Sequence, residues 1–256
     1  MSATQVSPRT FHSPSLWRRP ELTVARFTLS SYLKSGWLLL DIVFIWLLYA
    51  AFFLDFGGNV TYFFTIANNG LGAITILGTA ILVRRAMQAR IYLHLAHLSS
   101  RATYIRGVIL AAIFLRIPLY LLMLLLGGGY HRYAPSFGIQ GATIGNILAG
   151  SMGTLLITIV VAVLTVVLSR PIATRLIQIL FLLWLVLLLT PQTNPYLAPF
   201  LALTHLPIAP LAACYNLANS GIGWYQLLML VIAIGYIVGL AWLAEYWLAK
   251  RDLILV

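Results

Sequence analysis

The chain has 256 residues, of which 61% are hydrophobic and only 8% are charged. A soluble domain carries about 25% charged residues and cannot hide this much apolar surface, which excludes a water-soluble globule and a disordered chain alike. The net charge of +11 comes from 16 basic against 5 acidic residues. In a soluble protein that balance would suggest nucleic acid, but in a membrane protein the placement of the charges matters more than their sum.

In chain order, residues 1–19 are rich in Ser, Thr, Pro and Arg and predict a flexible tail. Pro20 suits the first turn of a helix, where its missing N–H costs little. Leu22, Ala25, Leu29 and Leu33 then recur at helical spacing beside Arg26, Ser30 and Lys34. This predicts an amphipathic helix over 20–35 lying on the membrane surface, with a polar extension of the first span as the alternative. Six apolar stretches, near 37–56, 61–83, 107–128, 144–168, 172–190 and 225–248, are long enough to cross a bilayer, which takes roughly 20 helical residues. They are apolar all round, so they read as helices and not as alternating barrel strands.

Between the second and third stretches, 84–106 is a basic loop in which Ile91, Leu95 and Leu98 share a helical face. Ser99 and Ser100 interrupt it and Arg101 follows, so a short helix, a turn and a lead-in to the third span are expected. The alternative is a solvated loop that only anchors orientation. The fourth span carries Gly141, Gly145, Ala149 and Gly153 at four-residue spacing, and the sixth carries Gly235 and Gly239. Small residues on one ridge let helices approach closely, within a subunit or between two. Tyr196–Cys214 is apolar too, but Pro199, Pro207 and Pro210 forbid a continuous lipid-exposed helix. The stretch 191–224 is therefore expected to be a broken or re-entrant segment on the outer face.

Every basic residue except Arg116 and Arg132 falls on one side of this layout, which the positive-inside rule makes cytoplasmic. The expectation is an all-α, polytopic membrane protein of six transmembrane helices in a single transmembrane domain (20–256). Both termini are then cytoplasmic.

Asp41, Arg116 and Glu245 are ionisable residues inside the spans. Asp41 is one turn past Trp37 and is expected to reach the interface. Glu245 is expected to pair with Lys250. Arg116 is deeper and needs a partner or a wet cavity, and Asp41 is one such partner. Two roles stay open for Arg116 and Asp41: a substrate-path or gating pair, or a structural ion pair.

Chemical motifs are sparse. No G-x-x-x-x-G-K-[ST] occurs, since neither Lys34 nor Lys250 follows a glycine, so this chain has no phosphate-cradling loop for ATP. Ala149–Gly153 approaches a serine nucleophile elbow but starts with alanine and lies in an apolar helix. His94 and His97 lack a third ligand, so no metal is expected. Asn59-Val60-Thr61 matches a glycosylation acceptor in a loop that hugs the membrane. An enzyme would need convergent acids, bases or metal ligands, which five acidic residues hardly supply.

Three segments carry a resemblance. Pro20–Lys34 sits where an interface helix would lie. Leu93–Leu110 has a leucine-rich turn, then Ser99, Ser100 and Arg101, then Gly107 opening the third span. Asn194–Gly223 is a proline-broken apolar stretch before the last span. With the basic ending Ala249–Leu253, this layout resembles the membrane subunits of type-2 ABC exporters. The resemblance implies a non-catalytic permease that pairs with a second permease, as a homodimer or heterodimer, and rests on separate ATP-binding cassette subunits that hold ATP and Mg. It implies contact with that ATPase through Leu95, Leu98, Ser99, Ser100 and Arg101. In that family glutamates often precede the coupling helix, whereas Arg85–Arg90 here holds no acid. Few polar residues in the spans suit a lipophilic or amphipathic cargo crossing the cytoplasmic membrane. The alternative is a passive channel, carrier or structural membrane protein without an ATPase.

Overall fold

The structure is a computed structural model and describes residues 20–53, 59–87, 100–133, 144–169, 172–189 and 204–250. Among these the regular structure is helical: α1 (Pro20–Lys34), α2 (Trp37–Phe53), α3 (Val60–Ala86), α4 (Arg101–Tyr133), α5 (Ile144–Leu168) and α6 (Arg175–Leu189). A 3-10 turn (Leu206–Ile208) and the short α7 (Ala209–Tyr215) and α8 (Leu217–Ser220) lead to α9 (Trp224–Lys250). Each of the six apolar stretches thus holds a helix among the described residues. Four helices, α3, α4, α5 and α9, are long and apolar enough to cross a membrane, and the bent pair α1–α2 makes up to five. The protein is therefore a multi-pass, all-helical membrane protein. At 1.5 Å per residue, α2 with 17 residues and α6 with 15 fall short of a hydrocarbon core of about 30 Å.

Helix boundaries follow local chemistry. Pro20 occupies the first turn of α1, with Glu21 beside it and Lys34 in the last turn, both complementing the helix dipole. Asn59 caps α3 by accepting the Tyr62 N–H at 2.8 Å. Ser100 caps α4 by accepting the Thr103 N–H at 3.2 Å. Thr174 does the same for α6 through the Ile177 N–H at 3.3 Å. Pro207 and Pro210 sit in the first turns of the 3-10 helix and α7, so the prolines that forbid one long helix begin two short ones.

Between α1 and α2 the chain bends by 71°. Gly36 makes the bend with φ of +77°, a conformation that costs an L side chain roughly 1–2 kcal/mol. Gly36→Ala is expected to lower the melting temperature in detergent by a few degrees, and Gly36→Asn by less, because asparagine tolerates this region better. Equal melting of all three would show that the bend relaxes without cost.

α1 lies along the first half of α4. Val24, Ala25, Thr28 and Tyr32 form its buried stripe, and Gly107 of α4 fits so tightly that a side chain there would overlap Val24 and the Glu21 carbonyl. Of the apolar residues at helical spacing, Leu22, Ala25, Leu29 and Leu33, this stripe takes Ala25, while Leu22 and Leu29 are half-buried. Leu33 is 46% exposed, and only Ala25 belongs to both sets. In a membrane the outward face must be apolar, while the protein-facing stripe takes small and polar groups.

α5 is central, packed against α3, α4, α7, α8 and α9. The core at the basic end joins Tyr32, Leu82, Ile105, Val108, Val163, Val166 and Leu248. At the opposite end Tyr49, Phe53, Phe63, Phe64, Leu71 and Met123 form an aromatic cluster. Ala149 of α5, Cys214, Leu217 and Leu230 make a third patch, which seats the broken segment on the half of α5 away from the basic end.

Candidate functional site: a buried ion pair at the bend

Arg116 lies midway along α4, between Gly107 and Gly127, and is 1% exposed. Its Nη1 meets Asp41 Oδ2 of α2 at 3.3 Å, and the Tyr32 hydroxyl of α1 donates to the same carboxylate oxygen at 2.7 Å. Asp41 is 3% exposed and does not reach the interface as its place near Trp37 suggests. The reason is that Tyr32 of α1, Arg116 of α4 and Gly78 of α3 close around the carboxylate. Three helices therefore meet in one charge-neutral knot, and α3 completes it through Gly78. Any side chain at 78 would overlap the guanidinium and the Asp41 carboxylate.

The guanidinium is only partly satisfied. Its Nε and Nη2 have no hydrogen-bond partner among the described residues, and neither has the hydroxyl of Thr79, the residue after Gly78 on α3. Asn68 and Thr75 of α3, and Thr154 and Thr158 of α5, are also buried. Asn68 Oδ1 and Thr154 Oγ1 likewise lack partners among the described residues. Buried polar atoms in this state are costly unless they serve a second arrangement or a ligand. The bundle therefore holds a neutralised charge pair and, spread along α3 and α5, further buried hydrogen-bonding groups, with Asn68 about 15 Å along α3 from Gly78.

Of the residues expected to matter, the structure brings together Asp41 and Arg116. Leu95, Leu98, Ser99 and Gly141, with His94 and His97, lie outside the described residues. Ser100 is the cap of α4, and Arg101 begins that helix, exposed, about 22 Å along its axis from Arg116. Ala149 and Gly153 of the small-residue ridge are buried, whereas Gly145 is exposed. Gly153 touches the Cys214 backbone so closely that a Cβ would overlap its carbonyl. Gly235 and Gly239 have nothing near them among the described residues. Glu245 meets a fork from Arg106, with Nε to Oε1 at 2.6 Å and Nη2 to Oε2 at 2.8 Å, while the side chain of Lys250, its expected partner, lies outside the described residues. A planar guanidinium meets a carboxylate with two parallel bonds, which an ammonium on the same helix cannot match. Ser151 lies within helix α5, where its carbonyl accepts from the Tyr120 hydroxyl at 2.9 Å, so Ala149–Gly153 is no strand-to-helix elbow.

Sequence reasoning misses Tyr32, Gly78 and the polar stripe of α3. One signal is available: an apolar 18-residue stretch within α3 has a mean hydropathy of 1.6, against 2.5 for those of α4, α5 and α9. Among the described residues no group of three metal-ligating side chains forms. No protein-family model matches the chain, and no curated protein is significantly similar to it.

Proposed function

We propose that this chain is the permease subunit of an ATP-driven exporter of a lipophilic or amphipathic substrate. It sits in the cytoplasmic membrane, powered by separate ATP-binding cassette subunits that carry the ATP and Mg. On this reading α2 and α6 are short fifth and sixth spans, the basic end is cytoplasmic, and both termini lie there.

The observation that carries the proposal is the construction of α4. It runs unbroken from Arg101, exposed at the basic end, to the buried Arg116, and α1 is strapped along that half. A push on the Leu95–Arg101 region would reach the Asp41–Arg116 knot through one rigid helix. Two further features support it. α6 is tethered by Gln178 to the Leu168 carbonyl at 2.7 Å and by Trp184 to the Thr204 carbonyl at 3.1 Å, yet Leu176, Ile179, Leu180, Leu182, Leu183 and Val186 are all more than half exposed. Such a helix suits a second permease subunit as well as lipid. On this reading the short helices α7 and α8 at the other end lie on the outer face.

Mild purification from the native membrane, with mass spectrometry of bound proteins, tests this. A P-loop ATPase is expected at near-equal stoichiometry, and Arg101→Glu is expected to uncouple its hydrolysis from transport while the protein still inserts. Intact protein without an ATPase would favour the carrier or structural reading. Unchanged coupling in Arg101→Glu would remove this segment from the mechanism.

A further inference from the structure

α9 is 27 residues long, about 40 Å, and is seated at its two ends. Leu230 and Ala233 are buried in the patch with Cys214 and Leu217, and Ala244 and Leu248 in the core at the basic end. None of residues 234–243 is buried, and Ile237, Leu240 and Ala241 touch the core but stay half-buried. The apolar 18-residue stretch of α9 is 17% buried among the described residues, against 44–50% for those of α3, α4 and α5.

At the basic end an ionic contact adds to this seat. Arg106 of α4 forks onto both carboxylate oxygens of Glu245. Its neighbour Gly107 packs against the Glu21 carbonyl of α1, and Glu21 adds attraction to the same guanidinium. One cation on α4 thus lies between acids of the first and last helices. The Arg106 side chain is 54% exposed and that of Glu245 18%. The fork is well formed, yet salt can reach it, unlike the enclosed Asp41–Arg116 pair. A helix seated at two points, one of them closed by an accessible ion pair, opens there before the whole bundle unfolds. We propose that the Arg106–Glu245 fork is a latch. Closed, it holds the last two turns of α9 beside α4. Open, it frees Ala244 and Leu248 while Leu230 and Ala233 stay docked, so that α9 pivots on its other end and a slot parts α4 from α9. This inference is independent of any ATPase.

The test measures local opening in the purified full chain. Cys214 is the one native cysteine, so Cys214→Ala gives a background free of thiols. Ala244→Cys and Ala233→Cys, both at positions 0% exposed, then report separately on the two ends of α9 through their rates of labelling by a water-soluble maleimide. Glu245→Gln and Arg106→Gln are each expected to speed labelling at 244 about tenfold and to leave 233 unchanged. The two together should be no faster than either alone, because each breaks the same contact. High salt is expected to speed labelling at 244 with the latch intact and to do nothing further in Glu245→Gln. Unchanged rates at 244 in both variants would overturn the proposal. So would equal acceleration at 233 and 244, which marks loosening of the whole bundle, or additive effects in the double variant. Should Ala244→Cys disturb the seat by its added sulfur, Leu248→Cys one turn on serves as the reporter, with the same pattern expected. If one of the two latch variants fails to fold, the other carries the test.

Discussion

Asp41→Ala is expected to be the most damaging single substitution in the protein. It leaves Arg116, 1% exposed, as an uncompensated charge inside the bundle, and it takes the acceptor from the Tyr32 hydroxyl. Breaking one side of a buried pair costs about 3–5 kcal/mol. In a chain of this size that corresponds to a fall in melting temperature on the order of 10 °C, with reduced folded yield. Arg116→Ala should behave similarly for the mirror reason, because Asp41 is then the stranded charge. Replacing both, as Asp41→Leu with Arg116→Met, removes the desolvation cost along with the attraction. It should recover most of the lost stability.

Fluorescence-detected size exclusion after a temperature ramp reads all three variants. The pattern also separates the two roles left open by the residue types. A stability loss in each single variant, rescued in the double variant with transport retained, identifies a structural clasp. A stable Asp41→Ala protein would mean that the guanidinium reaches water, as a residue lining a substrate path would. A double variant that folds well yet fails to transport would point to gating.

What is legible in the sequence depends on how far each cause reaches along the chain. The six apolar stretches are local, and each holds a helix among the described residues. The scarcity of charge makes Arg116 conspicuous, and Asp41 stands out as a partner because so few acids exist. The depth of that pair is not legible. It depends on Gly36 turning the chain by 71°, and no periodicity reports a bend. Tyr32 is hidden because a tyrosine on an amphipathic helix looks interfacial until the helix on which it packs is known. Spacing matches Glu245 to its own helix because it exposes only sequence neighbours. Its partner Arg106 is 139 residues away on α4. The protein-facing stripe of α1 goes unread for a different reason. Lipid rewards apolar side chains on the outside, so hydrophobicity alone does not report which face packs on protein.

The same limit applies to the small-residue ridges, and it yields the second large effect. Four-residue spacing cannot tell an occupied ridge from an empty one: Ala149 and Gly153 on α5 and Gly235 and Gly239 on α9 follow one pattern. At Gly153 a Cβ would overlap the carbonyl of Cys214, which is backbone and cannot swing aside. Gly153→Val must therefore push α7 off α5, opening the patch that holds Cys214 and Leu217. Overpacking of this kind costs about 1–3 kcal/mol, and the loss of the packed patch adds to it. At Gly235 and Gly239 no described atom lies within reach, and α9 buries only 17% of its apolar window. Gly235→Ala and Gly239→Ala should therefore melt at or slightly above the wild-type temperature in detergent, since alanine favours helix by about 1 kcal/mol over glycine. Cys214 supplies an independent readout, because it is 1% exposed and would become reactive to a thiol reagent once α7 lifts. Rapid labelling in Gly153→Val with none in the α9 variants is the expected result. Slow labelling throughout would show that α7 tolerates the added side chain, and that the close approach at Gly153 is incidental to the fold.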